Sequence, residues 1–131
     1  MGKTSEKTVG QLERELSQKI EALYRAQLGH KVSKVTCQLF GAKLAIVLED
    51  SITQPEQLLV EKGKTDLVEE MHEDLSQAIQ PQIKALIETV LSVEVLDLMS
   101  DATLDTGRTG MIAVLANTPS VRNPEAIPKA K

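Results

Sequence analysis

The first apolar positions of the chain recur every three or four residues, which is the spacing of one face of an α-helix. They are Val9, Leu12, Leu16, Ile20 and Leu23, with charged residues between them. Thr8 and Gln11 have the spacing of a capping box, and Gly29 offers a left-handed residue that can end a helix. The pattern therefore predicts a first helix that ends near Gly29.

From Ser33 the apolar period changes to two, which is the period of a β-strand. Val35, Cys37 and Leu39 share one face, and Leu44, Ile46 and Leu48 share another after a turn at Gly41. This alternation predicts a β-hairpin.

A short helix is predicted next, because Thr53 and Glu56 form a second capping box and Pro55 falls in the first turn. Gly63 ends this helix. A longer helical spacing then runs from Leu67 to Val90 through Pro81, which has no backbone N–H. Pro81 predicts either a kink in one helix or a break between two.

Two further strands, over residues 93–99 and 110–116, complete the predicted order of helix, hairpin, short helix, long helix, hairpin. This order predicts an α+β domain over residues 1–117, with a four-stranded antiparallel sheet covered by helices. The apolar stripe of the first helix exceeds what one sheet covers, so we also expect a homodimer. Residues 118–131 contain three prolines and little apolar content, which predicts a disordered tail.

Composition narrows the classes of function. Aromatic residues make up 2% of the chain and the net charge is -4, so the stacking platforms and basic groove of a nucleic-acid reader are not expected. Uninterrupted apolar runs such as residues 44–48 are far below the roughly 20 residues that span a bilayer. A single cysteine, Cys37, excludes an internal disulfide and suits a reducing compartment. We expect a cytoplasmic protein that does not insert into the membrane directly, with Cys37 as a buried apolar residue.

Residues 104–107 spell Leu-Asp-Thr-Gly, the sequence that carries the catalytic carboxylate of aspartic proteases. Those enzymes need two aspartates that share a proton in a dry cleft, and here Arg108 would hold Asp105 ionised. Asp, Thr and Gly also supply the hydrogen bonding and positive φ of a hairpin turn. The turn is the preferred interpretation and a protease-like enzyme the remote alternative.

Two histidines offer further candidate sites. His30, Lys31 and Lys34 form a small basic cluster that could hold an anion after the first helix. His72 lies among acidic residues, which favours a solvated helix face over a metal site. Ser100 and Asp101 are a second candidate ligand-binding pair, although no histidine is near them in sequence. With no phosphate loop, cysteine pair or nucleophile elbow, the sequence predicts a non-enzyme without a metal or cofactor.

Several blocks of the chain together resemble the MpsC-like family, small soluble bacterial proteins named for a Na-translocating membrane-potential-generating system. The similarity rests on Tyr24 with Gly29, on residues 48–60 and on residues 93–115. The motif positions in these blocks are Tyr24, Gly29, Thr53, Pro55, Glu56, Ser100, Asp101, Thr106 and Gly107. The chain departs from the family pattern where His30-Lys31-Val32 replaces Arg-Gly-Pro, where His72 replaces Arg and where Ser92 replaces Gly.

The resemblance implies association with a membrane system for cation and inorganic-carbon uptake. Two hypotheses follow from it. In the first, the protein is a non-catalytic accessory or regulatory subunit that docks on a membrane transporter component or another cytoplasmic protein, and is peripheral to the inner membrane only through that partner. In the second, it is a sensor of an anion or of inorganic carbon that uses His30, Lys31 and Lys34, or Ser100 and Asp101.

Overall fold

The computed structural model describes residues 6–129 and contains the predicted elements in the predicted order. The helices are α1 (Val9–Leu28), α2 (Gln54–Glu61) and α3 (Thr65–Leu91). The strands are β1 (Lys34–Phe40), β2 (Lys43–Glu49), β3 (Val95–Thr103) and β4 (Arg108–Leu115). The α+β fold class is confirmed.

The four strands form one antiparallel sheet in the order β1-β2-β4-β3. Each hairpin pairs two strands that are close in sequence, and the pairing of β2 with β4 joins the hairpins at the centre. Ile46 lies opposite Met111 in this central register. Because β1 and β3 are the two edges, residues on these strands lie at opposite sides of the sheet.

The core lies between one face of the sheet and the helices α1 and α3. The helices contribute Val9, Leu12, Leu16, Ile20, Tyr24, Ile79, Ile83, Ile87 and Leu91, and the strands contribute their alternate residues. The apolar stripe of α1 is thus buried within its own chain. The stripe therefore gives no reason for a homodimer, since no excess apolar surface on α1 remains to be covered.

Local signals set most of the helix ends. Both predicted capping boxes are present, at Thr8 with Gln11 and at Thr53 with Glu56. Helix α1 ends at Gly29 with φ of 61°. Helix α3 runs without a break through Pro81 and ends at Ser92, a serine in the left-handed region with φ of 55°. Glycine would adopt this φ without the strain that the Cβ of serine brings.

The chain after β4 differs from the predicted disordered tail. Val121 and Ile127 are buried in the core cluster, and Pro124–Ala126 form a 3-10 turn. The N–H of Arg122 donates to the carbonyl of Lys7, and the N–H of Gly41 donates to the carbonyl of Pro128. The burial of two isolated apolar residues therefore holds this segment against the core. The remainder of the predicted tail, residues 130–131, lies outside the described residues.

At each edge of the sheet a helix side chain contacts one outward-facing backbone group, and the two side chains differ. At β1 the carboxylate of Glu13 on α1 accepts a hydrogen bond from the N–H of Leu39, with an O–N distance of 2.8 Å. At β3 the side-chain amide of Gln80 reaches the carbonyl of Leu98 at 3.4 Å. Edge strands present unpaired backbone groups that accept another strand, so the side-chain cover at β1 blocks part of that edge.

No helix within residues 6–129 is both long enough and apolar enough to cross a membrane.

Candidate functional site

The buried polar residues of the described chain gather in one region. They are Ser51, Thr53, Glu56 and Thr109. Ser51 and Thr53 come from the segment that joins β2 to α2, Glu56 comes from the first turn of α2, and Thr109 comes from the start of β4. Burial of polar groups is costly unless they are hydrogen-bonded, so this concentration marks a built site within an otherwise aliphatic core.

At the centre of this region, Glu56 and His72 form a buried pair. Glu56 is 1% exposed and is the only buried residue of α2. Its Oε2 lies 2.7 Å from Nδ1 of His72 on α3, and its Oε1 accepts hydrogen bonds from the backbone N–H of Thr53 at 3.0 Å and the Thr53 hydroxyl at 2.8 Å. The pair therefore fixes α2 against α3 through a carboxylate whose two oxygens are both engaged.

These contacts change the ionisation of the carboxyl group. Burial by itself would raise the pKa of Glu56, but the hydrogen bonds from His72 and Thr53 outweigh it, so its pKa lies below the usual value. An ionised carboxylate only accepts hydrogen bonds, so Nδ1 of His72 carries the proton in this contact. Nε2 of His72 is buried and has no hydrogen-bond partner within residues 6–129.

Tyr24 lines the same region from α1. Burial, and secondarily the negative charge of Glu56, raise the pKa of its phenol to about 12. The phenol is therefore neutral at physiological pH, where it can donate a hydrogen bond but cannot serve as a base.

The segment before α2 is joined to the turn between β3 and β4. The Ser51 hydroxyl lies 2.7 Å from the Thr109 hydroxyl and donates to the carbonyl of Gly107 at 3.1 Å, while the N–H of Ser51 donates to the same carbonyl at 2.8 Å. Gly107 has φ of 71°, a conformation that favours glycine. The two blocks that carry the resemblance thus meet at one hydrogen-bonded junction.

Above the Glu56–His72 pair a groove of about 460 Å³ opens between α3 and the free edge of β3. We call it the α3–β3 groove. Helix α3 contributes Glu69, His72, Glu73, Ser76, Gln77 and Gln80, and the β3 side contributes Ser100, Asp101, Ala102 and Leu104. Among residues 6–129, three carboxylates and no lysine or arginine line the groove, which favours a cationic or basic occupant.

The structure separates the two predicted ligand-binding sets. Ser100 and Asp101 line the α3–β3 groove, and they belong to strand β3, which continues to Thr103 and so beyond the predicted strand of residues 93–99. His72 joins them there, although it is distant in sequence. His30 instead contacts the carbonyl of Asp50 through Nε2, and Lys34 begins β1 at the opposite edge of the sheet. The structure therefore does not bring His30, Lys31 and Lys34 together with Ser100 and Asp101.

The Leu-Asp-Thr-Gly stretch forms the turn between β3 and β4, as predicted. Asp105 is exposed there, and the hydroxyl of Thr106 hydrogen-bonds to that of Thr103. A protease carboxylate works in a dry cleft beside a second aspartate, an environment that the exposed turn does not provide.

The remaining candidates for chemistry are placed as follows. Within residues 6–129, no group of three His, Cys, Asp or Glu side chains has the arrangement of a metal site, and this includes His72 and its acidic neighbours. Cys37 is buried as predicted, and burial raises the pKa of its thiol to about 11. Such a thiol is a weak nucleophile at neutral pH.

Sequence reasoning missed the second role of Glu56 and the contributions of Ser51 and Thr109. The capping box accounts for one carboxylate oxygen of Glu56, and the other oxygen needs a partner 16 positions further along the chain. The one available signal is that His72 interrupts an acidic stretch of α3. Its ring supplies an N–H donor to a buried carboxylate.

The fold and the site define a small α+β domain. Its buried polar residues connect the segment after β2 and the β3–β4 turn to the helices α2 and α3. Residues 8–117 match the family model described as Na+-translocating membrane potential-generating system (MpsC). The chain belongs to the MpsC family, and this membership fits a component of a Na+ membrane-potential system. No curated protein and no solved structure matches the chain.

Proposed function

We propose that this protein is a non-catalytic accessory subunit that docks on a partner protein of a membrane cation-translocating system through the α3–β3 groove. The single observation that carries the proposal is the acidic groove beside the free edge of β3. Family membership supplies the context of a Na+ system. In this proposal the protein is cytoplasmic and reaches the membrane only through its partner.

The groove suits an extended basic segment of a partner protein. Glu69 and Glu73 lie on one wall, Asp101 lies on the other, and all three side chains are exposed. Strand β3 is the terminal strand of the sheet, so its outer backbone groups can pair with an added strand. Main-chain pairing would supply affinity, and the carboxylates would select lysine or arginine side chains.

The Glu56–His72 pair has a positioning role in this proposal. His72 lines the groove through its ring and is fixed from below by Glu56. The pair joins α3 to α2, and Ser51 just before α2 is hydrogen-bonded to Gly107 in the turn after β3. The groove wall that carries Glu69 and Glu73 is therefore connected to β3 through this chain of contacts. A defined width favours one binding register, because less conformational freedom is lost on binding.

The experiment that tests the proposal is affinity capture from native cells with chemical cross-linking, followed by separate mass spectrometry of membrane and soluble fractions. Glu73→Lys is the groove variant, and Glu70→Lys is its matched control on the same helix, exposed but outside the groove. We expect a membrane component to be captured by the wild type and the control and to be lost with Glu73→Lys. Equal capture by both variants, or no partner in the membrane fraction, would reject the proposal.

A small-molecule binding role is the second candidate, since the groove volume lies within the range of about 300–1,000 Å³ for ligand sites. Its carboxylates disfavour inorganic carbon and other anions and favour an organic cation. A thermal-shift series with the amines spermidine and choline would support this role if the melting temperature rises for the wild type and not for Glu73→Lys.

A further inference from the structure

The face of the sheet opposite the helices, which we call the open face, is apolar at its centre. Its central residues are Ala45, Val47, Met99, Ile112 and Val114. Ala45, Ile112 and Met99 are paired in one row across three strands. Val47 and Met99 are 38% and 53% exposed, so no described segment of the chain covers them. Contiguous apolar surface of this kind marks a contact site.

A glycine lies in the middle of this face, and neither backbone conformation nor steric crowding within the described chain requires glycine there. Gly110 is within β4, where glycine weakens a strand, and its φ is not positive. A Cβ placed at Gly110 would meet nothing within 4 Å. A depression of about 220 Å³ lies there, with Val47 and Arg108 among its lining residues. Glycine at such a position is typical of a place where another surface approaches closely.

The charges on the open face are divided between its two halves. Lys34 and Lys43 lie on the β1–β2 half, whereas Asp97 and Asp101 lie on β3. Glu49 and Arg108 form an ion pair with an N–O distance of 2.7 Å, so they cancel each other. The face is therefore basic toward β1 and acidic toward β3, which is self-complementary under a twofold rotation.

We propose that a second copy of this chain covers the open face. The twofold axis lies midway between the two sheets, runs parallel to the strands and passes over the line between β2 and β4. This rotation places β1 over the partner's β3 and β2 over the partner's β4. In the resulting sandwich Val47 faces the partner's Gly110, and Lys43 lies beside the partner's Asp97. Sheets that pack face to face are about 10 Å apart, so side chains from both faces interdigitate.

The dimer face and the docking groove share one residue, because Asp101 lies opposite Gly110 in the register of β3 with β4 and also lines the groove. The substitutions that test the two proposals lie at different places. Glu73 is on α3 at the helical side, whereas Gly110 is on the open face and does not line the groove. Loss of capture with Glu73→Lys therefore leaves the dimer proposal standing, and loss of the dimer with Gly110→Val leaves the capture experiment with Glu73→Lys to be decided separately.

Sedimentation velocity over a concentration series tests the proposal. We expect wild-type protein to sediment with twice the 14.3 kDa mass of the chain. Gly110→Val fills the depression and should make the protein monomeric without loss of fold, because valine favours strands. Leu67→Lys removes a comparably exposed apolar side chain, 52% exposed, on the helical side and should remain dimeric. A wild-type monomer at about 1 mM, or dissociation by Leu67→Lys and not by Gly110→Val, overturns the proposal.

A charge exchange decides the orientation even if Gly110→Val fails to fold. Lys43→Asp should weaken dimerisation by about tenfold or more, since it places like charges together. Adding Asp97→Lys should return the dissociation constant to within about threefold of the wild type, because the opposite pair is restored across the interface. If the second substitution weakens the dimer further, this twofold arrangement is wrong.

Discussion

Oε2 of Glu56 lies 2.7 Å from Nδ1 of His72, and this contact joins the one buried residue of α2 to the middle of α3. It is an ion pair whenever the imidazole is protonated and a hydrogen bond otherwise. In either form the contact attaches α2 to α3. No apolar side chain of α2 is buried, so the free energy of unfolding should depend strongly on this contact.

Loss of the histidine should destabilise the fold more than loss of the charge on its partner. His72→Ala leaves Glu56 buried without one of its donors, and removal of one member of a buried pair costs about 3–5 kcal/mol. Glu56→Gln keeps an acceptor for Nδ1 and removes the charge, so we expect a smaller cost of about 1–2 kcal/mol. Urea unfolding measures both, and Glu73→Ala, exposed one residue from His72, should stay within about 0.5 kcal/mol of the wild type.

The free energy of unfolding should fall on acidification because of Glu56. Its pKa is lowered in the folded state, so the unfolded chain binds a proton at higher pH than the folded chain. The stabilisation is therefore fully present above the ordinary value of 4.5 and is lost as the pH falls through the lowered folded value. The urea midpoint between about pH 3 and 7 reports this loss, and Glu56→Gln should flatten the dependence.

Glu15 provides the control for that pH experiment. Its pKa is also lowered, by hydrogen bonds from Lys7 and then Lys19, but it lies on the surface, where such pairs contribute little. The comparison should therefore be made in a Glu15→Gln background. If the dependence persists unchanged after both substitutions, another group accounts for it.

Phenolate formation should report the burial of Tyr24. The chain has one tyrosine and no tryptophan, so its near-ultraviolet phenolate absorbance belongs to this residue alone. We expect a midpoint at about pH 12, set by burial and by the charge of Glu56. Glu56→Gln should lower the midpoint, because one of the two causes is removed. Circular dichroism at each pH separates titration of the folded protein from alkaline unfolding, and a midpoint near 10 in the folded state would contradict the buried placement.

Two glycines three residues apart should respond differently to alanine. Gly107→Ala places a Cβ at φ of 71° and should cost about 1–2 kcal/mol, measured by urea unfolding. Gly110→Ala meets open space and an ordinary strand conformation, so the free energy of unfolding should be unchanged or higher under conditions where the protein is monomeric. Equal costs at the two positions would show that backbone conformation is not what distinguishes them.

Features encoded by residues near one another were predictable from the sequence. Thr53 and Glu56 are three residues apart, so their capping box follows from spacing, and the β1–β2 hairpin follows from alternation around Gly41. Gly29 ends α1 as expected for the same reason. Each of these signals depends on residues that are close in sequence, with Lys34 and Glu49 at the open end of the hairpin the most widely separated pair.

Features that depend on tertiary packing were not predictable. The pairing of β2 with β4 places Ile46 opposite Met111. Many other strand residues are equally apolar, so the sequence alone does not specify which strands pair. Val121 and Ile127 belong to no periodic pattern, so only their burial in the core cluster of the folded chain shows their role. The contact between His72 and Glu56 depends on how α2 packs against α3. Residue spacing did not indicate it, because the capping box already explained why a glutamate stands at position 56.

The hydrogen bond from Leu39 to Glu13 occupies one outward-facing N–H of the β1 edge, and Gln80 contacts the carbonyl of Leu98 at the β3 edge over a longer distance. An added strand would have to displace a charged carboxylate at β1 but only a neutral amide at β3. Edge pairing is therefore less favourable at β1 than at β3, which disfavours continuous growth through both edges when the local concentration at a membrane is high.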